Sequence, residues 1–252
     1  MLSAAPTIDP ADASLREQVY TSLRDALSAG RFVPGQKLTF RSIATALGVS
    51  LTPVRETIRR LVAEGAFEMR PNRSVRVPLM TRAKVLELRD IRMALEGLAA
   101  KQAAKRIGKE EIAELRQIAL EIVAARERGD TTTDRAKIRE FHFALYRAAD
   151  QPTLLNLIEG LWLQTGPYMN LLFPEYMRGR RGQGRARLIR ALQSRDALAA
   201  CLEIENDIRE ALSYVADLAD EAGNIAPFAP QAERKRARTV SKRRAPVELG
   251  RV

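Results

Sequence analysis

Apolar residues recur through most of this chain at the three-and-four spacing of a helix that buries one face. Leu15, Val19, Leu23, Ala26 and Leu27 make the first such face, with Ser14 as its expected N-cap and Gly30 as its stop. Two shorter helices follow, Phe40 to Leu47 closed by Gly48, and Thr52 to Glu64 closed by Gly65. Pro53 stands in the first turn of the second, where a missing N–H costs nothing. Ahead of this pair, Phe32 to Leu38 reads as a short extended piece around a Pro-Gly turn. After it the spacing becomes that of strands over Phe67 to Arg70 and Ser74 to Val77, joined by the turn Pro71, Asn72, Arg73. Three helices and then a two-stranded hairpin with a basic tip is the order of a winged helix-turn-helix. The tight Leu47, Gly48, Val49 link between the second and third helices is its turn.

From Met80 onward the helical spacing is unbroken. Val85, Leu88, Ile91, Leu95 and Leu98 form one stripe, and Ile112, Leu115, Ile118, Ala119 and Ile122 the next. Ile138, Phe141, His142 and Leu145 form a third; Leu154, Leu157, Ile158, Leu161 and Trp162 form a fourth, with a break at Gly166 and Pro167. After a glycine-rich basic loop from Arg178 to Gly184, Leu188, Ile189 and Leu192 lie on a fifth helix. The sixth runs from Asp196 to Leu218 with Leu198, Leu202, Ile208, Leu212 and Val215 inward. Six amphipathic helices over about 140 residues predict a bundle with space between helix faces. The expected fold is therefore mainly α: an N-terminal winged helix-turn-helix of three helices and a small β-hairpin, then an all-α helical bundle. The expected boundaries are a flexible N-terminus over 1–13, the winged domain over 14–79, the bundle over 80–222 and a disordered basic tail over 223–252.

Composition narrows the chemistry. A hydrophobic content of 46% supports a real core, while 5% aromatics and only 14 glycines in 252 residues argue against a β sandwich or barrel. The single cysteine, Cys201, excludes an internal disulfide, and the single histidine, His142, excludes every His-rich metal motif. No paired acid and base, nucleophile elbow or phosphate loop is present, and the glycines at 179, 182 and 184 follow no strand. The expectation is a non-enzyme with no catalytic residues and no cofactor. No apolar run approaches the ~18 residues of a membrane span, and Met1 to Pro10 lack the pattern of a signal peptide, so a cytoplasmic protein without a membrane partner is expected.

Net charge is +11, and it sits at the ends: +4 over residues 1–80, +1 over 81–230 and +6 over 231–252. Local basic excess suits a polyanion such as double-stranded DNA. The third helix would enter the major groove by its N-terminal end, which offers Ser50, Thr52 and Arg55. Hydroxyls and free N–H groups suit phosphate, and Arg55 suits the O6 and N7 edge of guanine. Arg59, one turn on, reaches backbone phosphate, and Asn72 and Arg73 at the wing tip reach the adjacent minor groove. A competing reading makes the chain an architectural nucleic-acid-binding protein that works through its basic tail.

The stretch from Leu47 to Glu56, with Leu61 to Gly65, Arg70 to Arg73 and Val75 to Val77, closely resembles the reading head of the GntR family of bacterial transcription regulators. Residues 80–218 resemble the FCD effector domain of the FadR subfamily, on Met80 and Thr81, Arg92 to Glu96, Phe141 and His142, Ala191 to Asp196, and Ala200. The resemblance implies DNA contacts at Arg41, Ser50, Thr52, Arg55 and the wing. Leu51 stands where the family usually has a DNA-contacting arginine, and Ser74 where the wing usually has glycine. It also implies a homodimer and a repressor released from its operator by a small organic acid. The implied effector contacts are Arg92, His142, Arg185 and Asp207.

Many FCD domains hold a metal with an aspartate and three histidines, and here the resemblance fails. With Phe141 and His142 in register, the aspartate position falls on Ile138 and the other two histidine positions fall on Arg185 and Asp207. Only His142 and Asp207 are ligand types, so no metal is expected. Arg185 is instead expected to pair with Asp207 or to clamp an effector carboxylate.

Overall fold

The computed structural model describes residues 10–71, 74–172, 176–177 and 182–225. Helix α1 (Pro10–Ser28) begins four residues before Ser14, so the expected cap is a residue inside the helix. Proline at a helix start needs no N–H partner, and nothing in the three residues after Pro10 breaks the turn. Strand β1 (Lys37–Thr39) leads into α2 (Phe40–Leu47). Thr39 caps α2 reciprocally: its hydroxyl accepts from the Ser42 N–H (3.0 Å), and the Ser42 hydroxyl accepts from the Thr39 N–H (3.1 Å). Gly48, at φ 66°, ends α2 in the left-handed region and turns the chain toward α3 (Leu51–Ala63).

Strands β2 (Glu68–Arg70) and β3 (Ser74–Arg76) form the hairpin, but the sheet has three strands in the order β1-β3-β2, all antiparallel. The two-stranded expectation is thus corrected. Three residues of β1 are too few to display alternation in the sequence. Val19, Leu23 and Leu27 from α1, Val54, Ile58 and Leu61 from α3, and Phe67, Val75 and Val77 around the sheet build one buried core.

The second core belongs to α4 (Arg82–Arg106), α5 (Lys109–Glu127), α6 (Thr131–Arg147), α7 (Pro152–Thr165), α8 (Gln183–Gln193) and α9 (Ala197–Ala216). Helices α4 and α9 lie against each other because Gly97 carries no side chain; a Cβ there would stand 3.0 Å from Glu205 and 3.1 Å from Cys201. The inward face of α4 is Val85, Leu88, Arg92, Glu96, Ala99, Ala100 and Ala103; of the expected stripe Val85 and Leu88 are buried and Leu95 packs partly against the core. Ile91 and Leu98 are exposed, as are Leu157 on α7 and Leu198 and Leu202 on α9. Small alanines line the buried face of α4, and its paired charge, Arg92 with Glu96, meets Tyr146 of α6 and Thr165 of α7, while Ile91 and Leu98 lie outside.

The α-helix ends at Gly166, as the expected break implies, and the chain continues as a 3-10 segment, Gly166–Leu172, that joins the two cores. The Asn170 amide donates to the carbonyls of Gly30 (2.7 Å) and Phe32 (3.1 Å), and the Tyr168 hydroxyl donates to the Pro78 carbonyl and accepts from the Met80 N–H. Gly166 lies so close to α1 that a Cβ would come 2.3 Å from the Leu27 carbonyl oxygen. Ion pairs Arg24–Glu159 and Arg139–Asp25 flank this contact. The chain then returns after α9: Ile225 donates to Met80 and Arg82 donates to Gly223. Residues 223–225, expected to start a disordered tail, therefore pair with the link into α4; residues 226–252 and 1–9 lie outside the described residues.

Candidate DNA interface and effector pocket

Helix α3 exposes the residues expected to contact DNA. Val54, Thr57, Ile58 and Leu61 hold it in the core, leaving Ser50, Thr52, Arg55 and Arg59 exposed, with Arg41 exposed at the start of α2. Arg41, Arg55 and Arg59 make no hydrogen bond or ion pair with another described residue. Their neighbours are occupied. Arg60 reaches Glu17 and Glu64 (3.2 Å each) and lies over the Tyr20 ring, and Glu56 holds Arg16 at 2.8 Å. Ser50 precedes α3 without capping it by its side chain, and the first turn holds no acidic residue. The hydroxyl and the first N–H groups of α3 therefore remain open to an anion. Asn72 and Arg73 lie outside the described residues; Arg70 beside them is exposed.

The bundle encloses a cavity of about 380 Å³. His142, Arg185, Asp207 and Arg92 all line it, so residues from α6, α8, α9 and α4 meet at one place as expected. His142 is buried against Trp162, with ring centroids 5.3 Å apart, and its Nε2 faces the Asp207 carboxylate at 3.4 Å. The Arg185 guanidinium lies over the Phe141 ring at 5.8 Å. Met169, Leu172, Met177 and Ile138 give the cavity an apolar wall.

Arg92 is more committed than its place on the cavity wall implies. It is 4% exposed and grips the fully buried Glu96 by two hydrogen bonds, 2.5 Å from Nε and 3.2 Å from Nη2, while Nη1 donates to the Thr165 hydroxyl at 2.9 Å. Burial opposes its charge, yet the Glu96 carboxylate outweighs that and holds the Arg92 pKa above its ordinary value. Tyr146 donates its hydroxyl proton to Glu96 (2.5 Å), so its oxygen accepts from His142 Nδ1 (2.8 Å). Burial first, and then Glu96, push the Tyr146 pKa well above its usual value, which keeps this proton in place. The relay Arg92–Glu96–Tyr146–His142 holds the ring at Nδ1 and turns Nε2 to Asp207 and the cavity.

Sequence reasoning missed Glu96, Tyr146 and Trp162 as parts of this site, along with Arg126, which also lines the cavity and is held bidentately by Asp134. Helical spacing held the signal: Glu96 is four residues after Arg92, and Tyr146 four after His142. Among the described residues no three His, Cys, Asp or Glu side chains come together as metal ligands. His142 and Asp207 alone, with the hydrocarbon of Ile138 and the cation of Arg185 beside them, do not fit the four-ligand metal of many FCD domains.

A family model described as bacterial regulatory proteins, gntR family, matches residues 15–77, and one described as FCD domain matches residues 87–210. The transcriptional regulator McbR of Escherichia coli K12 is 34% identical over 160 residues, spanning 64% of this chain and 72% of that protein. This chain belongs to the GntR family. As a GntR-family protein with an FCD domain it is a transcriptional regulator and not an enzyme. The solved E. coli McbR/YncC structure superposes with a TM-score of 0.73 at 30% identity, over 79% of this chain and 97% of that one. A protein of Paenarthrobacter nicotinovorans named as a probable D-xylose utilization operon transcriptional repressor is 33% identical over 155 residues, 59% of this chain and 67% of that protein. Regulators of this family bind DNA and FCD domains bind small-molecule effectors, which fits the open face of α3 and the cavity of the bundle. No helix among the described residues is long and apolar enough to cross a membrane.

Proposed function

We propose that this GntR-family regulator is a cytoplasmic homodimeric repressor. It grips a two-fold operator with α3 and the wing and lets go when a small carboxylate enters the bundle. The observation that carries the DNA half is the pair of cations, Arg55 and Arg59, left without partners among the described residues on a helix whose other exposed charges, Glu56 and Arg60, are paired. Arg55 reads a guanine edge, Ser50 and Thr52 hold phosphate, and Arg41, Arg59, Asn72 and Arg73 add backbone and groove contacts. The expected domains, 14–79 and 80–222, extend to Pro10 at the start of α1 and to Ile225, which pairs with Met80, and the basic segment beyond adds counterion-release affinity without sequence preference. The exposed Ile91 and Leu98 of α4 and Leu198 and Leu202 of α9 meet a second copy, which gives the protein the two-fold symmetry of its operator.

In the effector half, Arg185 is the carboxylate clamp and His142 Nε2 a second polar contact, with Asp207 accompanying the guanidinium before the ligand arrives. Arg92, neutralised by Glu96, forms the wall beneath the ligand rather than a second clamp. The site works without a metal. Release passes through the 3-10 segment, which lines the cavity with Met169 and Leu172 and holds the DNA-binding half with Tyr168 and Asn170.

The test is genome-wide mapping of bound sites for the native chain and for Arg55→Ala and Arg185→Leu. The native protein is expected at a few two-fold sites. Arg55→Ala is expected to lose them, at about 1–3 kcal/mol per base contact. Arg185→Leu is expected to keep the sites but stay bound when organic acids release the native protein. Unchanged sites with Arg55→Ala, or release retained with Arg185→Leu, would refute the corresponding half.

A further inference from the structure

The N-terminal end of the open face of α3 contains one residue that cannot form a hydrogen bond through its side chain, Leu51. Ahead of Ala63 in its last turn, the helix exposes Leu51, Thr52, Arg55, Glu56, Arg59 and Arg60, and these divide into two rows. Glu56 and Arg60 are turned to α1, where Arg16, Glu17 and Tyr20 hold them. Leu51, Arg55 and Arg59, at positions i, i+4 and i+8, form the row that faces away from the protein. Leu51 is the first residue of the helix and 36% exposed, next to the open Ser50. Isolated leucines are ordinary on protein surfaces. This one stands at the tip of the helix, ahead of Arg55 on the same row.

We propose that Leu51 is a specificity-determining residue that reads the C5-methyl group of a thymine beside the base pair read by Arg55. This rests on α3 being the reading helix, as above. A leucine has no donor or acceptor, and the thymine methyl is the one apolar feature that base edges present in the major groove. Side chains at i and i+4 stand about 5–6 Å apart along the helix, and base pairs are stacked about 3.4 Å apart, so the thymine lies within about two base pairs of the Arg55 contact.

The experiment begins with selection of a tight-binding duplex from a random pool by the full-length protein. Each thymine of that duplex is then replaced singly by deoxyuridine, which removes only the methyl group. Binding is measured for the native chain and for Leu51→Ala, whose fold is checked by thermal melting. A methyl group transferred out of water predicts about fourfold weaker binding at one thymine for the native chain, and no loss there for Leu51→Ala. Tolerance of uracil at every position by the native chain, or an equal loss in both proteins, would overturn the assignment. Arg55→Ala, run in the same selection, separates the two levels. If it loses the selected consensus while uracil is tolerated, α3 reads DNA without Leu51. If it keeps the consensus, α3 is not the reading helix and both assignments fall.

Discussion

Replacing Glu96 by glutamine removes one charge and almost no volume, yet it strikes the most buried electrostatic contact in the bundle. Glu96 is 0% and Arg92 4% exposed, and the carboxylate accepts two hydrogen bonds from Arg92 and one from Tyr146. A glutamine offers one oxygen and one NH2 group where three donors converge, so at least one contact becomes donor against donor. The Arg92 guanidinium, with Thr165 as its other hydrogen-bond partner, is left as a buried charge without its counter-ion. Breaking a buried pair in this way costs about 3–5 kcal/mol. At about 2–4 °C per kcal/mol for a chain of this size, the melting temperature falls by roughly 6–20 °C. Trp162 is the only tryptophan, and the Arg92 guanidinium lies 4.6 Å from its ring, so its fluorescence reports unfolding of this bundle during urea titration. The double replacement Arg92→Met with Glu96→Leu removes both charges and should recover most of the loss, because apolar side chains of similar volume often equal a buried pair. A Glu96→Gln protein that loses less than about 1 kcal/mol would refute the reasoning, since the two charges would then not depend on each other.

Gly166→Ala puts a methyl group 2.3 Å from the Leu27 carbonyl oxygen, so α1 and the 3-10 segment must separate. Overpacking of this kind costs about 1–3 kcal/mol, and the effect on DNA release should exceed the effect on operator affinity measured without effector. An unchanged melting temperature would count against the contact. Chelators should leave the melting temperature of the purified protein unaltered; a metal bound only to the folded state would raise it, and elemental analysis giving about one zinc, nickel or manganese per chain would overturn the metal-free site. Burial, then the hydrogen bond to Glu205, push the Cys201 thiol pKa from 9.0 to about 11. At pH 8 the thiolate fraction is then about a hundredfold below that of the unfolded chain, so alkylation should be correspondingly slow and accelerate as pH rises toward 11; labelling at the rate of the unfolded chain would contradict this.

The sequence revealed helix ends where glycine marked them, as at Gly48 after α2, but not the start of α1, where Ser14 read as a cap and lies inside the helix. It misjudged faces where large apolar residues point outward. Ile91 and Leu98 continue the stripe of Val85 and Leu88 on α4, but beyond Leu88 the packed face is built from alanines around Arg92 and Glu96. Periodicity counts apolar letters and cannot see that two opposite charges four residues apart cancel when buried. The same limit hid Tyr146 and Glu96 from the pocket, although His142, Arg185 and Asp207 were legible through family register. The 3-10 segment was invisible because Gly166 and Pro167 read as an interruption, while its role depends on backbone carbonyls of Gly30, Phe32 and Pro78 far away in sequence.

The Tyr168 and Asn170 anchors are two pins set on a single short turn of chain. Two pins define an axis, and a rotation about that axis leaves their hydrogen bonds near their resting lengths. Other rigid displacements of the halves stretch one pin or the other. The ion pair Arg139–Asp25, whose side chains are 29% and 56% exposed, lies on the water side and yields at little cost. A swing of the bundle about that axis would also have to disturb the Arg24–Glu159 pair, the hydrogen bond from Gln164 to the Glu64 carbonyl and Leu163, which is buried in the core of the DNA-binding half, so the seam resists it and the two halves are coupled as one body.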